Sequence, residues 1–199
     1  MRDVVFTILG LVIFAALRIV DAAQTALRLQ PRKRPLGQAE RDALRSIFGD
    51  SIDLDAVRVV EGNAGLLGIS GRAFAIGRII YLPACSAEIL VHECAHVWQF
   101  QTGGFGYIGN SALHQLVGLL SMKRYRPYHW RAAIDAGVAW DDLASAEAQA
   151  QFVQDLYRDG EGQGAAPGAF FRTDANRFRQ GTRDYTDAAN AAWRKLRAG

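Results

Sequence analysis

The chain is organised around one stretch, Leu90-Val91-His92-Glu93-Cys94-Ala95-His96-Val97-Trp98-Gln99. It contains the pattern His-Glu-x-x-His in full. Because residues four apart lie on one face of a helix, His92 and His96 can bind one metal ion from consecutive turns. Glu93 then projects beside the ion, where a general base for a metal-activated water belongs. Imidazole ligands suit zinc, and a catalytic zinc site needs a third protein ligand and a water molecule.

The residues around this motif predict a buried helix from about Ser86 to Gln101. Ser86 can cap the helix, Glu88 suits its first turn, and Gly103-Gly104 ends it. The run between them is strongly apolar, which is typical of a helix buried on nearly all sides. Histidines and a glutamate in such a helix need partners, and a metal supplies one. The alternative is a pair of core histidines that bind nothing.

Length and composition suit one globular domain. Of the 199 residues, half are apolar and 22% are charged, which allows a sizeable core. The net charge is +3 and the basic residues are scattered, so we expect no nucleic-acid partner. Cys85 and Cys94 would lie about 13 Å apart, too far for a disulfide. We interpret Cys94 as a small buried residue.

Residues 4–20 are apolar except for Thr7 and Arg18. The uncharged run Val4–Leu17 is shorter than the roughly 20 residues that span a bilayer. A membrane anchor, a signal peptide and a helix of the domain itself are all open alternatives. We expect membrane association through this segment. The positive charge that follows it would keep a catalytic domain in the cytoplasm, and without an anchor we expect a cytoplasmic protein.

Local signals predict further elements on both sides of the motif. Before it we expect a linker, a helix, a strand and a hairpin: Gln30–Leu36, Gln38–Phe48, Val57–Val60, and Ala73–Ile76 with Arg78–Leu82. The free edge of the Arg78–Leu82 strand can bind an extended peptide by strand addition. A hairpin that only contributes to the core is the alternative.

After the motif we expect a glycine- and aromatic-rich loop, Gly103–Gly109, and then a helix capped by Ser111. Residues 125–140 read as an irregular, aromatic segment. A tyrosine or histidine there can stabilise an oxyanion, unless its rings only pack the loop down. His114 and His129 are reserve candidates for the third metal ligand.

Glu147 is the principal candidate for that ligand. Ser145 begins a helix that runs to about Tyr157, and Glu147 lies in its first turn beside the buried stripe. As a ligand it would complete a catalytic zinc site. A first-turn glutamate also stabilises a helix N-terminus without any metal, so the spacing leaves both roles open. A last amphipathic helix is expected at about Thr186–Leu196.

The stretch from about Leu44 to Gln101 resembles a bacterial family of small His-Glu-x-x-His metallopeptidase domains. These domains accompany toxins and contractile injection systems, and some relatives are described as Vgr-related. The matching words are Val57-Arg58-Val59-Val60, Ala73-Phe74-Ala75, Ile79-Ile80-Tyr81-Leu82, Leu90-Val91-His92-Glu93 and His96-Val97-Trp98-Gln99. The layout is similar to a minimal gluzincin, whose second helix offers a glutamate followed three residues later by a small residue. Glu147-Ala148-Gln149-Ala150 matches, and the resemblance implies that Glu147 is the third ligand.

We therefore expect an α+β, mostly helical fold, with a small antiparallel hairpin before the metal-binding helix. The resemblance implies that it is zincin-like. We divide the chain into 1–36, a hydrophobic helix with a basic linker, and 37–199, the metallopeptidase domain. The expected function is hydrolysis of a peptide or protein substrate, with Zn2+ held by His92, His96 and Glu147 and with Glu93 as general base. Trp98 and Gln99 would support the ligands. The alternative is a non-catalytic zinc-binding adaptor in a secretion or envelope complex.

Overall fold

The elements of the chain form a mainly helical α+β structure. The computed structural model describes residues 2–84, 86–121, 126–162, 166–172 and 175–199. The helices are α1 (Arg2–Ala26), α2 (Gln38–Phe48), α3 (Ala87–Gly103), α4 (Gly106–Leu120), α5 (Arg131–Asp135), α6 (Ala146–Asp159) and α7 (Thr186–Ala198). The strands are β1 (Arg58–Glu61), β2 (Phe74–Ile76), β3 (Ile79–Leu82), β4 (Arg179–Gln180) and β5 (Arg183–Asp184).

The main sheet has the strand order β1-β3-β2. β2 and β3 form the predicted antiparallel hairpin, whereas β1 pairs in parallel with β3, with Arg58 opposite Ile79. The sheet is therefore mixed rather than purely antiparallel. The prediction of a free edge on the Arg78–Leu82 strand is wrong, because β3 is the central strand and both its edges are paired. The edge strand of the hairpin is β2.

Helix α3 lies at the centre of the structure, and every residue from Leu90 to Gln99 is buried. It begins as predicted, because the Ser86 hydroxyl accepts a hydrogen bond from the backbone N–H of Ile89. The sheet and helices α2, α4 and α6 pack against it. Cys94 is fully buried, as expected, whereas Cys85 lies outside the described residues. Helix α3 therefore holds the motif within the core of the protein.

The predicted helices outside the motif are largely confirmed. Helix α2 has the predicted bounds, and burying its Leu44, Ile47 and Phe48 contributes about 1.5–3 kcal/mol each. Helices α6 and α7 begin where expected, and their alanine-rich stripes are buried. The segment predicted as irregular, residues 125–140, contains the short helix α5. The first residue of that segment, Tyr125, lies outside the described residues.

Helices α1 and α4 pack closely through two glycines. Phe6 lies against Gly109 and Phe14 against Phe105, so the helices run antiparallel. A β-carbon on Gly10 would collide with the carbonyl oxygen of Phe105, and one on Gly109 with that of Phe6. Glycine disfavours a helix by about 1 kcal/mol, but here it permits close contact between backbones.

This packing explains why one prediction is wrong. Helix α4 begins at Gly106, within the segment predicted as a loop. Ser111 is therefore not the cap of the helix but lies inside it, more than one turn from its start. The local sequence signals a loop because it is rich in glycine, whereas the tertiary contact with α1 requires those glycines in a helix.

A buried carboxylate fixes the second half of α1 to the sheet. Asp21 accepts hydrogen bonds from the Tyr81 hydroxyl at 2.7 Å and from Nε2 of Gln30 at 2.8 Å. Its other oxygen forms a 2.6 Å ion pair with Lys33. The division of the chain at residue 36 stays a prediction. Helix α1 includes a segment, Val4–Ala26, that is long and apolar enough to cross a membrane, a property shared by signal sequences and core helices.

Candidate metal centre

Three buried side chains from two helices meet at one point. Helix α3 presents His92 and His96 from consecutive turns, and the first turn of α6 presents Glu147. One ligand atom from each lies within 4.8 Å of the others. Oε2 of Glu147 is 3.3 Å from Nε2 of His92 and 3.4 Å from Nε2 of His96. The structure thus brings together the three residues predicted as ligands, and they can hold a metal ion.

Glu147 is oriented by two side chains of α4. Its Oε1 atom accepts a hydrogen bond from the Ser111 hydroxyl and a 2.8 Å hydrogen bond from Nε2 of Gln115. These two donors hold one oxygen, so the other points at the histidines. Neither residue was predicted as part of the site, and Ser111 was expected only as a helix cap. Their spacing of four places them on one helix face, but nothing in the sequence connects that face with Glu147.

His96 is oriented by a glutamine of its own helix. Nε2 of Gln99 donates to the carbonyl oxygen of Ala146 at 3.1 Å and to Oε1 of Gln149 at 2.8 Å. Its oxygen, Oε1, therefore accepts the 2.7 Å hydrogen bond from Nδ1 of His96. A proton on Nδ1 leaves the lone pair of Nε2 facing the cluster, which is the arrangement that binds metal. The supporting role expected for Gln99 agrees with these contacts.

Glu93 lies beside the cluster and lines the same pocket. Its carboxylate is buried, and among the described residues its Oε2 atom has no hydrogen-bond partner. Nδ1 of His92 is also buried without a partner in this part of the chain. A buried polar atom without a partner costs about 1–3 kcal/mol. Two imidazoles, one oriented carboxylate and a neighbouring unpaired carboxylate oxygen fit a metal site that also takes a water molecule.

The charges of the site are strongly coupled. Burial raises the pKa of the Glu93 carboxyl above its usual range. Burial also opposes the charge of Glu147, but the neighbouring His96 and His92 outweigh it and hold the pKa of Glu147 well below its usual range. Glu147 is thus an anion at neutral pH, as a metal ligand must be, whereas Glu93 is poised to take up a proton.

The cluster forms the floor of a pocket of about 440 Å³. The edge strand β2 forms one wall with Phe74 and Ala75. The Tyr107 ring stacks on His96 at 5.7 Å, and its hydroxyl donates to the carbonyl oxygen of Ala75 at 3.3 Å. This contact ties the hairpin to α4 and fixes the distance between the wall and the floor.

Tyr128 also lines the pocket, with its ring 6.0 Å from that of His92. Burial raises the pKa of its hydroxyl, which therefore remains a hydrogen-bond donor at neutral pH. It belongs to the aromatic segment from which we expected an oxyanion donor. The two reserve histidines are not members of the cluster, which consists of His92, His96 and Glu147. His129 is exposed and its Nε2 lies 3.5 Å from Arg126.

Fold and site together define an α+β domain, mostly helical, with a buried His-His-Glu cluster that can hold a metal ion. Its fold is similar to the solved structure of the effector domain of Pseudomonas aeruginosa VgrG2b, with a TM-score of 0.50. The two chains are 24% identical, and the match covers 72% of this chain and 85% of that one. No family model and no curated protein sequence matches this chain.

Proposed function

We propose that this protein is a zinc-dependent peptidase. The observation that carries the proposal is the position of Glu93, whose Oε2 atom lies in the pocket and has no hydrogen-bond partner among the described residues, whereas Glu147 is held by two histidines and two donors. A purely structural metal site needs no such group. His92, His96 and Glu147 would hold the ion, which when bound acidifies water and polarises the carbonyl group of the substrate.

The residues of the chain would supply the remaining steps. Glu93 accepts a proton at Oε2 from the attacking water and later donates it to the nitrogen of the leaving amine. Tyr128 donates its hydroxyl hydrogen to the carbonyl oxygen as negative charge develops there. An extended peptide would pair with the edge of β2, whose Phe74 and Ala75 line the pocket.

We also propose an effector role, in which the protein is delivered by, or bound to, a component of a contractile injection system. The similar structure is named as an effector domain, and the match spans most of that domain. A protein substrate in a target cell and a secretion partner would follow from this role. The proposal is independent of the metal chemistry, because a non-catalytic adaptor could travel in the same way.

The test of the peptidase is a comparison of Glu93→Gln and Glu147→Gln with the wild type. Zinc content is measured on the purified proteins, and hydrolysis is followed with quenched fluorescent casein. Glu93→Gln should keep zinc and lose hydrolysis, since the amide is nearly isosteric but cannot take up the proton. Glu147→Gln should lose zinc affinity as well. Glu88→Gln, in the first turn of the same helix but outside the pocket, is the matched control and should retain both.

Each failure has a distinct meaning. Wild-type protein that binds zinc but hydrolyses no unfolded protein would support the adaptor instead of the peptidase. Wild-type protein without zinc would remove the metal site. Full zinc affinity in Glu147→Gln, with a loss of folding stability of only about 0.3–1 kcal/mol, would show that Glu147 only stabilises its helix. Another residue would then complete the site.

A further inference from the structure

Helices α1 and α4 expose a large aliphatic surface. Its exposed members are Val4, Val5, Ile8, Leu9, Leu11 and Val12 in the first half of α1, and Leu113, Leu116, Val117, Leu119 and Leu120 of α4. Helix α4 contains no Asp, Glu, Lys or Arg, and α1 contains none from Val4 to Leu17. An exposed aliphatic surface of this extent is unfavourable in water, so it needs a cover.

The two helices present one surface rather than two. They cross at Gly10 and Gly109, whose missing side chains let the backbones touch. The exposed aliphatic residues of α1 and α4 therefore lie on adjoining helices that are in direct backbone contact. We call these residues the apolar helix pair.

The surface is not that of a single spanning helix. At about 1.5 Å per residue, the 23 residues from Val4 to Ala26 could cross a bilayer of about 30 Å. However, Asp21 and Gln24 are buried against the domain, and Phe14 stacks on Phe100. The second half of α1 is thus anchored to the protein, although Ile19 there is 70% exposed, and the surface consists mainly of the first half of α1 together with α4.

The chemistry around the apolar helix pair favours a bilayer. A cavity of about 580 Å³ is lined by the aliphatic residues Leu116 and Leu119 and by the polar residues Arg72, Arg126 and His129. The two arginine side chains at the margin of this aliphatic surface match phosphate headgroups above acyl chains. A protein interface would instead be rich in aromatic residues, and the large exposed apolar residues of this surface are valine, leucine and isoleucine.

We propose that the apolar helix pair docks the protein on an anionic lipid bilayer, lying in the plane of the membrane. The cavity beside α4 and the metal pocket share Arg72, Gln115 and Tyr128 in their linings. The metal pocket therefore opens next to the docked surface. If the proposed peptidase function holds, its substrates are peptide segments at a membrane surface; the docking itself does not depend on that function.

The experiment is vesicle flotation of the full chain. Vesicles of phosphatidylcholine alone are compared with vesicles of equal parts of phosphatidylcholine and phosphatidylglycerol. The wild type should float with both and bind the anionic vesicles more strongly. The double variant Val117→Asp with Leu120→Asp, at side chains 42% and 72% exposed, should reduce the partition coefficient by about a hundredfold. Val138→Asp, at an exposed apolar residue outside α1 and α4, is the matched control and should bind as the wild type does.

A second pair of variants tests the charges. Arg72→Gln and Arg126→Gln should each lower binding to the anionic vesicles by about fivefold and leave binding to neutral vesicles unchanged. Val12→Asp, at a residue of α1 that is 62% exposed, repeats the aliphatic test on the other helix. The test therefore still stands if the α4 double variant does not fold. Thermal midpoints and zinc content establish that each variant is folded and that a failure of docking is separate from a failure of the metal site.

Two results would overturn the proposal. The first is wild-type protein that stays with neither kind of vesicle, or aspartate variants that float as well as the wild type. The second is a wild-type dimer in solution that both aspartate variants convert to monomer, because the cover would then be a second copy of the chain.

Discussion

Nδ1 of His96 donates a 2.7 Å hydrogen bond to Oε1 of Gln99, three residues further along the same helix. Gln99 is held in turn by the carbonyl oxygen of Ala146 and by Gln149, both in α6, the helix that carries Glu147. One glutamine thus orients a predicted ligand of α3 and joins α3 to α6. Such contacts tune metal affinity without touching the metal.

Replacing this glutamine should weaken zinc binding. In Gln99→Leu the imidazole loses its acceptor, so the ring can rotate and the proton is no longer held on Nδ1. We expect zinc affinity to fall about 10–100-fold, measured by competition with a fluorescent chelator. Gln101→Leu, two residues on, removes a hydrogen bond to Asp53 instead and should bind zinc like the wild type. Equal affinities of the two variants would contradict the orienting role.

The donors on α4 should matter in the same way. Gln115→Leu and Ser111→Ala each remove one hydrogen bond from Oε1 of Glu147, and the double variant removes both. We expect each single variant to weaken zinc binding and the double variant to show a larger loss, because the carboxylate is then free to turn. Titration calorimetry measures the affinities. Ser46→Ala, on the remote helix α2, is the control. If the double variant binds zinc as tightly as wild type, the α4 contacts are incidental.

Removing the metal should lower the thermal midpoint of the wild type. A ligand that binds only the folded state at about a hundred times its Kd stabilises it by about 2.7 kcal/mol, or about 5–10 °C for a chain of this size. Differential scanning fluorimetry with zinc and with a chelator measures the shift. His96→Ala should have the same midpoint in both conditions. A shift of equal size in that variant would mean that zinc acts elsewhere.

The buried carboxylate of α1 should be important for stability. Asp21→Ala leaves the charge of Lys33 and the hydroxyl of Tyr81 without their partner. We expect a cost of about 1–3 kcal/mol in urea unfolding, mainly because the buried Tyr81 hydroxyl is left unsatisfied, since Lys33 is 25% exposed and can be hydrated. Asp42→Ala, at an exposed aspartate of α2, should cost little, since surface polar contacts contribute below about 1 kcal/mol. A cost as small as that of the control would show that α1 is only loosely attached.

The local patterns of the chain predict its principal helices well. Ser86 and the glycines after Gln101 define the ends of α3, and the leucine and isoleucine spacing of α2 gives its bounds. Helix geometry alone also places His92 and His96 on one face. These features depend on residues close in sequence, so one sequence is sufficient to recognise them.

Other features depend on contacts between distant parts of the chain. The parallel pairing of β1 with β3 requires a crossover connection, and no local pattern specifies which strand β1 pairs with. The start of α4 at Gly106 depends on the helix that packs on it, and the donors Ser111 and Gln115 became recognisable only once α4 was placed beside α6. For Glu147, the helix that carries it was predictable from local sequence, whereas the orientation of its side chain towards the histidines depends on distant contacts.

The contact between Gly10 and Phe105 has a consequence for the metal centre, which it does not touch. Helix α1 packs against the beginning of α4, and about one and a half and two and a half turns later α4 carries Ser111 and Gln115, the two donors that hold Glu147. The position of α4 relative to α6 therefore depends on the close contact at Gly10 and Gly109. A single methyl group added at position 10 would push α4 aside, and the displacement would be felt by a carboxylate on a third helix. The packing of α1 therefore determines how accurately the carboxylate of Glu147 is oriented towards His92 and His96.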